Sequence, residues 1–173
     1  MSDVELKAIQ GDIATKSADA LVNAAGTSLR MGSGVAGALR AAAGEEINRE
    51  AMEKGPIELG EVAVTDAYAL DAEYVIHAAA MPHYGDGKAT AESIQRATKN
   101  TLEAADRLGC RSIVSPALGC GVAGFDVADG AEIISETIAE YEPEELKEVR
   151  LIGYSQDEYE VISSTVADDR TDP

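Results

Sequence analysis

Two hexapeptides, Gly32-Ser33-Gly34-Val35-Ala36-Gly37 and Gly119-Cys120-Gly121-Val122-Ala123-Gly124, repeat the pattern Gly-x-Gly-Val-Ala-Gly within one chain. Each follows an apolar run with strand character, ALVNAA from Ala20 to Ala25 for the first and SIVSPAL from Ser112 to Leu118 for the second. Each also precedes helix-like sequence. A glycine loop between strand and helix lets backbone N–H groups at the positive end of a helix dipole approach a phosphate without an intervening Cβ. Two such loops on parallel strands of one sheet would hold a diphosphate from both sides.

Working outward, Val4 to Gln10 reads as an opening strand stopped by Gly11-Asp12, and Ala20 to Ala24 as a buried strand. Gly34 to Ala43 carries Val35, Ala38, Leu39 and Ala42 on one helical face and ends at Gly44. Glu45 to Lys54 continues helically to the stop signal Gly55-Pro56. Glu61 to Ala67 and Tyr74 to Ala79 are strand-like, and Met81 to Gly87 is a loop by its turn residues. Thr90 to Leu108 is the longest helix, followed by a strand from Ser112 to Ala117 and a helix capped by Asp126 and running to about Tyr141. A strand from Val149 to Tyr154 and a helix from Glu158 to Val166 complete the series. Strands alternating with helices and no internal linker predict one three-layer α/β/α sandwich around a mixed, mainly parallel sheet. The domain covers residues 1–166, with 167–173 as a charged, frayed tail.

Composition limits the partners. Thirty-two Asp and Glu face 14 Lys and Arg, a net charge of −18 in 173 residues. Such a surface repels DNA and anionic membranes, which bind basic faces. Apolar residues at 45%, in periodic runs, argue against disorder. The acidic excess points to a salt-rich cell, where concentrated cations screen self-repulsion. No apolar run approaches the ~20 residues of a membrane span and the N-terminus lacks a basic leader, so a soluble, cytoplasmic protein is expected. The two cysteines, Cys110 and Cys120, form neither a disulfide framework nor a zinc cluster.

Gly11-Asp12-Ile13, Val22-Asn23-Ala24-Ala25, Gly32-Ser33-Gly34-Val35 and Pro116-Ala117-Leu118-Gly119-Cys120-Gly121-Val122 occur in this order, and together they resemble the macrodomain family. The resemblance runs from about Val4 to Val166 and implies an ADP-ribose-binding cleft, with ADP-ribose or an ADP-ribosylated protein as partner. It assigns Asp12 to the adenine amino group, which suits an acceptor-only carboxylate. Ile13 would lie beside the purine, and Tyr154 would stack on it. Asn23, donor and acceptor in one side chain, would reach the distal ribose and serve as the catalytic residue. Gly32, Ser33, Gly34 and Val35 would form one wall of the diphosphate site. Leu118, Gly119, Cys120, Gly121, Val122 and Ala123 would form the other, with Phe125 folding back toward the distal ribose. Backbone donors allow an acidic protein to hold an anion. No cofactor or metal is implied.

The family pattern breaks at three places. Gly26 stands at the second place of the usual NAAN. Ala36 replaces the aspartate that follows GxGV in the hydrolase branch. Arg40 and Ala123 occupy the lysine and aspartate places of another branch, and arginine cannot supply that lysine's nucleophile. Cys120 near a helix start is a weak nucleophile candidate, His77 reads as a core residue, and His83 lies in a loop near the cleft. The leading function is ADP-ribose binding with hydrolysis of an ester on the distal ribose, of O-acetyl-ADP-ribose or ADP-ribosylated carboxylates; the alternative is a non-catalytic reader or buffer. A nicotinamide oxidoreductase is a remote third, because the acid at the expected distance, Glu53, sits in a helix.

Transfer from molar salt to low salt is expected to lower the Tm and unfold the chain, as followed by circular dichroism. An unchanged native spectrum at low salt would remove the halophilic reading.

Overall fold

A computed structural model describes residues 3–82 and 87–171. The six strands are β1 (Glu5–Gln10), β2 (Ala20–Gly26), β3 (Val62–Asp66), β4 (Tyr74–Met81), β5 (Ser112–Pro116) and β6 (Glu148–Gly153). The five α-helices are α1 (Gly34–Ala43), α2 (Glu45–Lys54), α3 (Ala91–Arg107), α4 (Val127–Glu140) and α5 (Gln156–Thr171). The strands form one sheet in the order β1-β6-β5-β2-β4-β3. All neighbours pair in parallel except β3, which joins β4 antiparallel at one edge. The expected three-layer sandwich and mainly parallel sheet are present.

Helices cover both faces of the sheet, which is why β2 and β5 read as continuous apolar runs instead of alternating ones. On one face Ile94, Ala97 and Leu102 of α3, Ile134 and Ile138 of α4, and Ile162 of α5 pack on Val22, Ile113 and Leu151. On the other, Leu39 of α1 and Ile47 and Ala51 of α2 pack on Leu21, Val75, Val114 and Ile152. Burying each such Leu, Ile or Val side chain contributes roughly 1.5–3 kcal/mol. At the β3 edge the Lys54 ammonium donates to the Val64 carbonyl at 2.5 Å and the Asp66 N–H donates to Glu50 Oε1 at 3.2 Å, so charged side chains of α2 meet the edge strand.

Helix α5 continues to Thr171, past Val166, where the sequence reading closed it. Ala167 to Thr171 holds neither Gly nor Pro, so nothing there stops the helix. Short 3-10 turns at Ile13–Thr15 and Gly121–Ala123 were not legible from periodicity, being shorter than any repeat. No helix among the described residues is long and apolar enough to cross a membrane.

Asp106, near the end of α3, organises the connection from α4 to β6. Its carboxylate accepts from the Tyr141 hydroxyl and from the N–H groups of Glu144 at 3.2 Å, Glu145 at 3.0 Å and Leu146 at 2.7 Å. Burial raises its pKa, but the Tyr141 hydroxyl and these amides outweigh burial and hold it below the ordinary 3.8. Stabilisation from this group is therefore present above the unfolded value and lost as the pH falls through the lower folded one. Asp106→Ala should lower stability by about 1.5–3 kcal/mol at neutral pH. That difference should shrink in denaturation curves taken toward pH 2, and a pH-independent difference would contradict the assignment.

Candidate active site: two glycine loops at one sheet edge

The parallel strands β1, β6, β5, β2 and β4 all end at one edge of the sheet. Strands β2 and β5 are neighbours, but their ladder contains only Ala20↔Ile113 and Leu21↔Val114. Beyond those pairs β2 runs on to Gly26 beside β4, and β5 runs on to Pro116 beside β6. The chain leaves β2 for α1 and α2 on one face, and leaves β5 for α4 on the other. This is a topological switch point, where open α/β sheets bind ligands. The two hexapeptides flank it.

The first loop leads directly into α1. Gly32, Ser33 and Gly34 are exposed, and Gly34 has φ 61°, where an added Cβ would meet nothing within 4 Å. Ser33 is the N-cap residue, but its side chain makes no capping bond, so the first-turn N–H groups of α1 have no side-chain acceptor. Gly37 lies against the Gly32 carbonyl, 3.3 Å from where its Cβ would stand. The second loop closes on itself before α4 begins. Gly121 N–H donates to the Phe125 carbonyl (3.0 Å), Phe125 N–H to Gly119 (3.2 Å) and Gly124 N–H to Gly121 (2.9 Å). The Gly121 amide is thereby engaged, and the 3-10 turn that it opens has no side-chain cap.

The glycines of this loop differ in purpose. Gly121 has φ 70° and open space at its missing Cβ. Gly119 has φ 77°, and a Cβ there would sit 2.7 Å from Ile94 and 2.8 Å from Ala89. Gly119 is therefore required by packing on α3, whereas Gly121 leaves the backbone bare toward solvent. Ala89 N–H donates to the Ala123 carbonyl at 3.0 Å, tying the segment after β4 to this loop. His83 lies outside the described residues.

At the β1–β6 side of the edge, Gly11 N–H donates to the Gly153 carbonyl at 3.0 Å, so the residues that follow, Asp12 and Tyr154, leave neighbouring strand ends. Tyr154 is 70% exposed. Asp12 caps the first 3-10 turn, with Oδ1 accepting from Ala14 N–H at 2.9 Å. Capping and ligand binding are compatible here, because the carboxylate is exposed and has a second oxygen. Ile13 and Leu118 are 3% and 1% exposed, so their side chains belong to the core and only their backbone faces the edge.

The Macro domain family model matches residues 22–134, spanning both loops and the strands that carry them. The chain belongs to the Macro domain family. It is 40% identical over 166 residues to a protein of Saccharolobus solfataricus, covering 93% of this chain and 92% of that one. A Mycobacterium tuberculosis protein is 43% identical over 149 residues, and this chain spans 41% of that relative's length. Among solved structures, the Oceanobacillus iheyensis macrodomain with ADP has a TM-score of 0.86 at 26% identity, covering 95% of this chain and 91% of that one. The Trypanosoma brucei macrodomain in complex with ADP-ribose has a TM-score of 0.83 at 26% identity, covering 94% and 69%.

The side chains read from the sequence as chemically active in this macrodomain are mostly enclosed. Asn23 is 1% exposed. Its Nδ2 lies 3.0 Å from His77 Nδ1, and His77 Nε2 lies 2.9 Å from Thr65 Oγ1. An amide nitrogen only donates, so Nδ1 accepts and Nε2–H donates to Thr65, whose hydroxyl donates to the Asp66 carbonyl at 3.0 Å. Burial pushes the His77 pKa down to about 4, so the ring is neutral at pH 7. Asn23 is thus the first member of a buried polar chain across β2, β4 and β3, on the face covered by α1 and α2.

Cys120 is held well away from reactivity. Burial, then Glu158, Asp126 and Asp129, push its pKa up to about 12, and it is a protonated thiol packed against Gly130. Phe125 is half-buried against the α4-side core and also approaches Gly130, 3.5 Å from where a Cβ would stand there. Ala36 is 5% exposed and faces the core with Leu39. Arg40 turns back along α1 and bonds Glu45 and the Met31 carbonyl.

Gly119→Ala and Gly121→Ala should separate packing from backbone exposure. Both carry positive-φ strain of about 1–2 kcal/mol, but only the first adds overlap with α3, about 1–3 kcal/mol more. Chemical denaturation should therefore rank Gly119→Ala clearly the less stable. Equal losses would refute the different roles given to the two glycines.

Proposed function

We propose that this macrodomain binds ADP-ribose, free or attached to a modified protein. Adenine would lie between Asp12 and Tyr154, and the diphosphate between the two glycine loops. The observation that supports the reading is the early divergence of β2 from β5, a switch point that the two glycine loops follow. The ADP held by the Oceanobacillus macrodomain and the ADP-ribose held by the Trypanosoma one support the same ligand class. Backbone amides suit an anion here because Asp126, Asp129 and Glu158 lie around the second loop, with the Lys88 side chain packed on Gly124 beside them. Affinity should therefore rise with salt, opposite to a nucleic-acid-binding protein, since cations screen repulsion between ligand and protein.

A second reading, hydrolysis of an ester on the distal ribose, is supported by the uncapped α1 start, whose amides can meet developing negative charge. The residues singled out from the sequence offer no side-chain base there. Ala36 is apolar, Asn23 is enclosed and Cys120 is protonated. Hydrolysis would then depend on a substrate phosphate to orient water, which an activated ester tolerates better than an amide. Binding without rapid turnover is the function this geometry supports best.

Calorimetry in molar KCl with ADP-ribose, ADP and NAD tests the binding reading. ADP-ribose should bind more tightly than NAD, and Tyr154→Ala should weaken it by about 1–3 kcal/mol, the loss of one base stack. Preference for NAD would overturn the assignment. Incubation with O-acetyl-ADP-ribose and with a glutamate-linked ADP-ribosylated protein, followed by chromatography, separates the two functions. Catalytic release of ADP-ribose would favour the hydrolase, and binding without release the reader.

A further inference from the structure

The first glycine loop is held from behind by side chains with no part in the contacts above. Met31, the residue before Gly32, is fully buried. Its N–H donates to Asn48 Oδ1 of α2 at 2.9 Å, and its carbonyl accepts from Arg40 Nη1 of α1, also at 2.9 Å. Arg40 is itself fixed by a fork onto Glu45, with Nε 3.1 and 3.0 Å from the two carboxylate oxygens. Two residues earlier, buried Leu29 has φ 62°, a conformation that costs a non-glycine residue energy and persists only where its surroundings enforce it. Ile57 N–H, beyond α2, holds the Thr27 carbonyl at 2.9 Å. Helices α1 and α2 thus pin both sides of the Met31 peptide unit, and the exposed residues Gly32 to Gly34 begin from that anchor.

Resting on the ADP-ribose reading, we infer that Asn48 and Arg40 are positioning residues for the anion-binding loop, pre-setting the amides of Gly32 to Val35 by clamping Met31. Neither touches the ligand. Preorganised donors bind an anion without an ordering cost, so loosening the clamp weakens binding by making the loop order on each encounter. The Arg40 side chain thereby has a use in this chain distinct from nucleophilic chemistry, and Asn48 supplies an acceptor that no spacing rule connects to Met31.

The test combines hydrogen exchange on the ligand-free protein with ADP-ribose calorimetry. Asn48→Leu removes the acceptor at similar size, and Asn48→Asp keeps it. Asn48→Leu should speed exchange of the Gly32 to Val35 amides while leaving α3 unchanged, and should raise the ADP-ribose Kd roughly three- to tenfold, the loss of one buried hydrogen bond. Asn48→Asp should restore both. Should Asn48→Leu fail to fold, Arg40→Lys serves instead: it keeps the charge but not the fork that bonds Met31 and Glu45 together, and the same two changes are expected. Unchanged exchange, or faster exchange with unchanged Kd, would overturn the inference while leaving ADP-ribose binding intact. A wild-type protein that binds no ADP-ribose would overturn the proposed function, and this inference with it.

Discussion

The two-pair ladder between β2 and β5 is the constraint on which the rest of the molecule turns. Ala20 and Leu21 pair with Ile113 and Val114, and then the strands part. Had the ladder continued to Ala25, the centre of the sheet would be closed and the two glycine loops would lie over a sealed edge. Because it stops early, each strand finishes against its other neighbour, and the connections leave on opposite faces. The crevice follows from topology, and each loop then needs only to present backbone to it.

Why backbone, in this protein, follows from charge. An excess of carboxylates leaves few cations to meet a phosphate, and Arg40 near the first loop is committed to Glu45 and Met31. Amide N–H groups at an uncapped helix start carry partial positive charge that neither titrates nor requires a basic side chain. They work only if held still, so much of the local sequence serves rigidity. Gly119 lies against α3, Gly37 against the Gly32 carbonyl, and Gly130 against Cys120. Of the glycines with open space at the missing Cβ, Gly32, Gly34 and Gly121 lie in the two loops, while Gly44 and Gly109 follow the ends of α1 and α3.

Asn23 shows how a motif residue and its chemistry can separate. Strand alternation places it with Leu21 and Ala25, both buried in the α1/α2-side core, so period-two reasoning alone signals an inward side chain. A buried asparagine needs a polar partner, and the YVIHAAA run held the candidate in His77. The pairing was not readable from either segment by itself. It depends on the register that sets Asn23 opposite His77, and register is a property of two strands together.

The sequence by itself determined the elements and their order, because periodicity, glycine stops and caps are local. Helices α1 and α2 begin and end where the pattern places them, and the two hexapeptides lie between strand and helix as read. Tertiary structure alone decided which glycines serve packing and which serve exposure, for that depends on Ala89 and Ile94 approaching Gly119 while nothing approaches Gly121. It alone set the Cys120 thiol against Gly130 with Asp126, Asp129 and Glu158 around it, where burial and these acids push its pKa up. And it alone joined Asn48 to Met31 across 17 residues. These are distances between segments, which no local pattern encodes, because they arise only when helices and sheet pack into one core.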